Sequence, residues 1–482
     1  MKLTLTQIAR WIAAEPVTGG EAVSATGYSI DSRTLQPGDL FFAIRGEHFD
    51  GHQFVGAALE KGACAAVVAR GWTQESPQGL KPDSSPAAIG TTEAVPFQSR
   101  EPGDRVRLLV VDDPLTALQR LASSVRRQWG KRVIGITGSA GKTTTKEAVA
   151  AVLGARFSVL RSQGNLNNHF GVPLQLLKLQ PEHEVAVIEM GMSAAGEIAA
   201  LCRIAAPDWG VVTNVGHAHA EFFFDGVAGI ARAKYELVAA LPRQGVAFLN
   251  CDDPYVSQFG RGFDGKAVYF GRGPCADPRV DGMEALGAEG TRMQVRARGE
   301  KAELVLHLPG EHNASNALAA IAVGIEAGIP LASCCEELAE LQPDEKRGRV
   351  TQVRGATIIN DSYNSNPEAL KSMIATLKAT AAQRRILVAG EMLELGAEAA
   401  ALHAACGTAA ARAGIDVVIG VRGNAQDIVD AAQAGGVEAL FVETPEEAGA
   451  WLREHLREGD AVLLKASRGV RLERALAVLT GA

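Results

Sequence analysis

The sequence predicts an α/β protein of three domains. A small mixed α/β N-terminal domain is expected over 1–106. A central P-loop ATPase-like domain with a mainly parallel sheet is expected over 107–342, and a Rossmann-like C-terminal domain over 343–482. Three observations predict this. The 482 residues suffice for roughly two to four domains. Short apolar runs alternate with longer amphipathic, Ala-rich stretches, as parallel strands buried on both faces do with their crossover helices. One such run ends in a glycine turn that opens a helix: Val133-Ile-Gly-Ile-Thr-Gly-Ser-Ala-Gly-Lys-Thr-Thr-Thr145.

The elements follow in order. In the first block, 38–44 and 65–69 read as strands around a helix near 53–61. Residues 73–105 are rich in Pro, Ser, Gly, Gln and Glu without periodicity and read as a flexible insertion. A strand at 108–111 and a helix at 114–129 lead into the central block. Its strands are expected at 133–137, 185–189, 210–213, 246–250 and 267–270. The third block repeats the pattern at 356–360, 385–389, 417–421, 439–442 and 461–465.

The glycine turn is a shortened phosphate loop. The strict pattern wants a glycine at position 136, which is Ile136, so the turn rests on Gly138 and Gly141. Backbone N–H groups of Ser139, Ala140, Thr144 and their neighbours would face phosphates at a helix N-terminus. Lys142 would neutralise charge, and the Thr143 hydroxyl would ligate Mg2+. Ligands in such sheets bind beyond the carboxyl ends of the strands. There the second central strand ends in Glu189, an acid after an apolar run and a candidate metal carboxylate. The third runs into Thr213-Asn-Val-Gly-His-Ala-His219, where His217 or His219 is a ligand candidate. The Asn-dense segment 163–173, with Asn167 and Asn168, either suits a peptide or sugar or forms a set of asparagine turns. His312-Asn-Ala-Ser-Asn316 opens a helix and either caps it or meets a base or ribose. Asp361-Ser-Tyr-Asn-Ser-Asn-Pro367 again places polar groups after an apolar strand. By itself Lys234, in a helical run, reads as a surface lysine.

Composition narrows the class. A net charge of −7 without a long basic run argues against nucleic acid as a partner. The N-terminus lacks a signal-peptide pattern, and no apolar stretch is long enough to span a bilayer, so a cytoplasmic protein, a monomer by default, is expected. The seven cysteines show no Cys-x-x-Cys spacing, so free thiols are expected rather than a zinc site or disulfides.

These motifs resemble the Mur ligases, ATP-dependent amino-acid and peptide ligases of bacterial cell-wall synthesis, over nearly the whole chain. The first block contributes Asp31-Ser-Arg33 and Pro37-Gly-Asp-Leu-Phe-Phe-Ala-Ile-Arg-Gly-Glu-His-Phe-Asp50. The central block contributes the phosphate loop through Glu147, Gly164-Asn-Leu-Asn-Asn168, Ile188-Glu-Met-Gly191, the His217–His219 segment and His312-Asn-Ala-Ser-Asn-Ala-Leu318. The third contributes Asp361 to Pro367, Gly390-Glu-Met-Leu-Glu-Leu-Gly396 and Lys465-Ala-Ser-Arg-Gly469. Asp-Ser-Tyr-Asn-x-Asn-Pro and Met-Leu-Glu-Leu-Gly point to the dipeptide-adding branch.

The resemblance implies substrates and roles. The substrates would be ATP, UDP-N-acetylmuramoyl-tripeptide and D-alanyl-D-alanine, with two Mg2+ ions. Lys142 and Thr143 would hold phosphates and metal. Glu189 and His219 would hold metal, and Lys234 would be carbamylated to support the second ion. His312 and Asn316 would lie near the base, with Arg349 and Asp361 closing over ATP. Ser32, Arg33, Arg45 and Gly46 would hold the uridine diphosphate end, and Asn167 and Asn168 the muramoyl-peptide part. Tyr363, Asn364, Asn366, Lys465, Ser467 and Arg468 would contact substrate. His217, His169 and Ala466 depart from the family pattern. Two other readings stay open: a folylpolyglutamate-synthase-like ligase of the same fold, and a non-catalytic nucleotide switch.

Overall fold

The computed structural model describes residues 2–15, 23–46, 49–72, 107–217 and 220–481. The expected insertion at 73–105 lies outside them. The chain divides into two compact units, Met1–Trp129 with Leu176–Gln180, and Gly130–Gln175 with Pro181–Ala482.

The first unit holds a parallel four-stranded sheet in chain order: Gly27–Ser29, Asp39–Phe42, Ala65–Ala69 and Leu108–Val111. Phe41, Phe42, Val67 and Leu109 are fully buried, as parallel strands covered on both faces require. This corrects the expected boundary at 106. Strand Leu108–Val111 completes this sheet, and helix Pro114–Trp129 packs on helix Leu5–Ile12, so the unit runs to Trp129. Thr4 caps Leu5–Ile12 in a reciprocal box with Gln7.

The second unit carries two six-stranded sheets. In the first, all strands are parallel in the order Lys266–Phe270, Val246–Asn250, Trp209–Val212, Arg132–Thr137, Val185–Glu189, Val159–Arg161. Arg132–Thr137 comes first in the chain and sits in the middle, with successors on either side. Strand order therefore reverses there, and a crevice opens at its carboxyl end. Helices Lys142–Gly154 and His312–Glu326 pack together over this sheet. An antiparallel meander, Arg279–Ala285, Thr291–Ala297 and Glu300–Leu306, was not legible in the sequence. Its strands carry Arg, Glu, Asp and Lys on their outer faces.

The second sheet runs Arg349–Val353, Ala356–Asp361, Asp460–Lys465, Arg384–Gly390, Val417–Val421, Glu438–Val442, antiparallel only at its first pair. Asp361 and Lys465 are register partners at the carboxyl ends of neighbouring strands.

Cys251 and Cys275 are bonded to each other, with Cα atoms 6.1 Å apart. This corrects the expectation of free thiols throughout. Strands Val246–Asn250 and Lys266–Phe270 are neighbours, so the loops leaving them meet, which no short spacing announces. Cys64, Cys202, Cys334, Cys335 and Cys406 are free.

Candidate functional site

The phosphate loop is shaped by its neighbours. Gly138 and Gly141 take φ of 153° and 79°, and a Cβ there would strike Thr213 and Asn316 respectively. The Thr213 hydroxyl donates to Ala140 O at 2.6 Å, and Ala140 N donates to Asn214 Oδ1 at 2.8 Å. Gly216 N donates to the Ser139 hydroxyl at 2.9 Å. The Thr213–Gly216 segment thus clamps the loop from below. Helix Lys142–Gly154 follows without a side-chain cap, leaving its first N–H groups directed at the cavity. Lys142 Nζ donates to Gly138 O at 2.7 Å.

Glu189 sits at 3% exposure with both oxygens engaged. Thr143 Oγ1 donates to Oε2 at 3.0 Å, and Asn167 Nδ2 donates to Oε1 at 2.8 Å. Lys146 Nζ lies 3.9 Å from Oε2 and 3.1 Å from Glu147 Oε1. Lys146 is fully buried and was not singled out from sequence. It lies one turn after Lys142, on the same helix face, and that spacing could have found it.

A cavity of about 530 Å3 joins the two sheets' carboxyl edges. Ser139 to Thr144, Asn167, Asn168, Glu189 and His312 line one side. Asp361, Tyr363, Asn364, Asn366, Lys465 and Arg468 line the other. Lys465 Nζ pairs with Asp361 Oδ2 at 2.5 Å and donates to Asn364 O at 3.0 Å. The cavity walls push the His312 imidazole down to about 4, and its Nδ1 lies 3.0 Å from Ser372 Oγ. His169, also on the wall, meets Phe170 edge to face.

Other expected site residues are placed elsewhere. Arg349 begins the edge strand Arg349–Val353 and is exposed; Arg347, in the turn just before that strand, lines the cavity instead. Asn316 is buried behind the loop, accepting from Thr145 Oγ1 at 3.1 Å and donating to Asn313 at 2.9 Å. It positions Gly141 rather than lining the cavity. Ser467 is buried and accepts from Leu393 N at 2.9 Å, tying the Lys465–Arg468 loop to the Met-Leu-Glu-Leu segment. Ala466 is wholly buried beneath it. Lys234 lies behind the wall at 1% exposure, not on the surface as its helical context alone suggested. Burial and the Lys142 charge push its amine well below the usual lysine range. No described residue hydrogen-bonds its Nζ. His219 lies outside the described residues. His217 Nδ1 lies 2.6 Å from Glu368 Oε1, on the helix Pro367–Ala379 of the second sheet. Among the described residues no three His, Cys, Asp or Glu side chains converge as a ready-made metal cluster.

In the first unit, Asp31–Arg33 and Arg45-Gly46 follow the carboxyl ends of adjacent strands. Arg33 and Asp31 form a fork at 2.8–3.2 Å, Lys61 Nζ donates to Ser32 O at 2.8 Å, and Arg45 pairs with Asp50 at 3.1 Å. Gly46 N donates to Phe49 O at 2.8 Å, beside the exposed Phe49 ring.

A phosphate loop with a buried carboxylate at the next strand tip, facing a second α/β sheet across one cavity, defines a nucleotide-dependent ligase scaffold. The chain belongs to the Mur ligase family. The family models for the Mur ligase family catalytic domain, the Mur ligase middle domain and the Mur ligase glutamate ligase domain match residues 24–126, 136–324 and 346–468. The UDP-N-acetylmuramoyl-tripeptide–D-alanyl-D-alanine ligase of Bacillus subtilis is 34% identical, covering 93% of this chain and 91% of that protein. The Escherichia coli enzyme of the same name is 33% identical over 90% and 89%. Among solved structures, MurF from Acinetobacter baumannii superposes with a TM-score of 0.84 at 27% identity, covering 100% and 99%. MurF ligase from Thermotoga maritima in complex with ADP gives 0.77 at 28%, covering 94% and 97%.

Proposed function

We propose that this protein joins D-alanyl-D-alanine to UDP-N-acetylmuramoyl-tripeptide, cleaving ATP to ADP and phosphate. The observation that carries the reading is the single cavity shared by the phosphate loop and the Asp361–Lys465 wall, in a chain whose relatives of that name match it almost end to end.

The chemistry follows from charge. The tripeptide's terminal carboxylate attacks the γ-phosphorus, the bond to the bridging oxygen breaks toward ADP, and an acyl phosphate results. The dipeptide amine then attacks the acyl carbon, loses a proton and expels phosphate. The first step brings two anions together, so Lys142 and the loop N–H groups must offset their repulsion. Lys142 would turn from Gly138 O to the phosphates.

The residues present fit Mg2+, which takes hard oxygen ligands and few protein ones. Thr143 Oγ1 and Glu189 Oε2, 3.0 Å apart, are the described donors that would hold it, with His219 a further candidate. When bound, the ion would neutralise phosphate charge. Lys234, an enclosed amine without a described partner, suits carbamylation: its nitrogen adds to CO2 and releases a proton. Added bicarbonate should raise turnover of CO2-stripped protein, and a labelled carbamate should appear by carbon NMR in the wild type and not in Lys234→Arg. Ser32, Arg33, Arg45 and Gly46 would receive the uridine diphosphate end. With substrates of this kind the protein would work in the cytoplasm, as a monomer, since one chain lines the whole cavity.

The test is ADP release from purified protein. Release is expected only when the UDP-tripeptide and D-alanyl-D-alanine are both present. Release with a glutamate-tailed folate would favour the folylpolyglutamate-synthase-like reading. Stoichiometric nucleotide binding without turnover would favour a switch.

A further inference from the structure

Arg347 has no role in the reading above, yet its surroundings are specific. Its guanidinium lies 3.8 Å over the Tyr363 ring. Its backbone is pinned from both sides: Arg347 N donates to Asp344 O, and Tyr363 N donates to Lys346 O, each at 3.0 Å. The other cations on this wall each have a carboxylate partner. Lys346 and Arg468 share Glu473 at 3.0 and 3.1 Å, and Lys465 holds Asp361. Among the described residues Arg347 has no carboxylate partner and no side-chain hydrogen bond. It lines the main cavity with Lys142 and Thr143, and also a side lobe of about 160 Å3 with Lys146.

Two cations, Arg347 and Lys142, thus face one space from opposite sheets and repel each other. Glu189 offsets part of the Lys142 charge, and an anion bound between the two cations would gain from both. We infer that Arg347, shelved on Tyr363, is a catalytic residue that donates to the γ-phosphoryl group during its transfer to the tripeptide carboxylate. The phosphorus–oxygen bond to the carboxylate forms as the bridging bond breaks, and the electron pair leaves on ADP. Negative charge then spreads over the equatorial oxygens, where an unpaired guanidinium fork is worth most. An aromatic shelf holds that fork in plane without competing for its donors. The inference rests on the ligase reading, and one other anion could claim the fork: the carboxylate of the acceptor dipeptide.

The experiment uses the full chain with Arg347→Ala and Arg347→Lys, each checked for an unchanged melting curve. For Arg347→Ala the expected result is a fall of about 100-fold in kcat, with KM for ATP and for D-alanyl-D-alanine moved less than about threefold. Arg347→Lys should recover part of the rate. Binding of ADP with aluminium fluoride, a mimic of the transferring phosphoryl, should weaken by a similar factor while ADP alone binds unchanged. A rise in KM for the dipeptide with kcat held would overturn the proposal and assign the fork to the acceptor carboxylate. Unchanged constants would overturn it outright. Wild-type protein that makes no pentapeptide would sink the ligase reading instead. The aluminium fluoride comparison would still decide Arg347.

Discussion

Glu189 shows how one residue is prepared for its task. Thr143 and Asn167 each donate to one of its oxygens, and Lys146 stands behind it, so the buried carboxylate has a partner at each oxygen. Glu189→Gln keeps the shape and removes the charge. It should lower turnover by about 100-fold or more in a steady-state assay, with the melting temperature little changed. His403 carries a pH prediction. It is fully buried, its Nε2 accepts from Met392 N at 2.8 Å, and its Nδ1 donates to Ala399 O at 2.7 Å. Burial pushes its pKa below the ordinary histidine value. Below about pH 6.5 the unfolded chain therefore binds a proton that the folded chain refuses, and stability falls as pH drops through that window. Melting temperatures of His403→Gln, taken from pH 7.5 to 5.5, should fall less steeply than the wild type's. At this scale Lys142, Thr143 and Glu189 were legible because motif and strand tip coincide. Arg347 was not, since nothing in the sequence distinguishes it from Arg349 two residues on; only the fold sets it against Tyr363 and the cavity.

Among elements, the strand Asp460–Lys465 inserts beside Ala356–Asp361 and brings Lys465 against Asp361. Asp361→Ala would leave a cation at 4% side-chain exposure unpaired. The cost should be about 3 kcal/mol, the low end for a broken buried pair, because cavity water reaches the aspartate side. Denaturant melts would show it as a lower midpoint at constant slope. Gly141→Ala should be damaging for a different reason: positive φ and the Asn316 amide both oppose a methyl group there. The buried parallel strands were legible as apolar runs, and helix Pro114–Trp129 as an amphipathic stretch. The meander at 279–306 was not, because its strands carry charged outer faces that read as loop. The allegiance of strand Leu108–Val111 was also hidden, since pairing partners so far apart in the chain leave no local trace.

The whole molecule divides into two units with separate cores, and that division makes a thermodynamic prediction. Thermal unfolding followed by calorimetry should show two transitions rather than one. A non-hydrolysable ATP analogue at a hundred times its Kd should stabilise the unit holding the phosphate loop by about 2.7 kcal/mol and shift one transition only. A single transition moving as a whole would mean that the units unfold together. The three-domain reading survives at this scale because each Mur ligase family model finds its own stretch of chain, although the first boundary moves to Trp129.

The most direct measurement is the mass of the product formed from ATP, Mg2+, UDP-N-acetylmuramoyl-tripeptide and D-alanyl-D-alanine. The account predicts the UDP-pentapeptide, with one ADP per product formed and none without the dipeptide. A product lengthened by a single amino acid, or ADP formed with no new peptide bond, would contradict it.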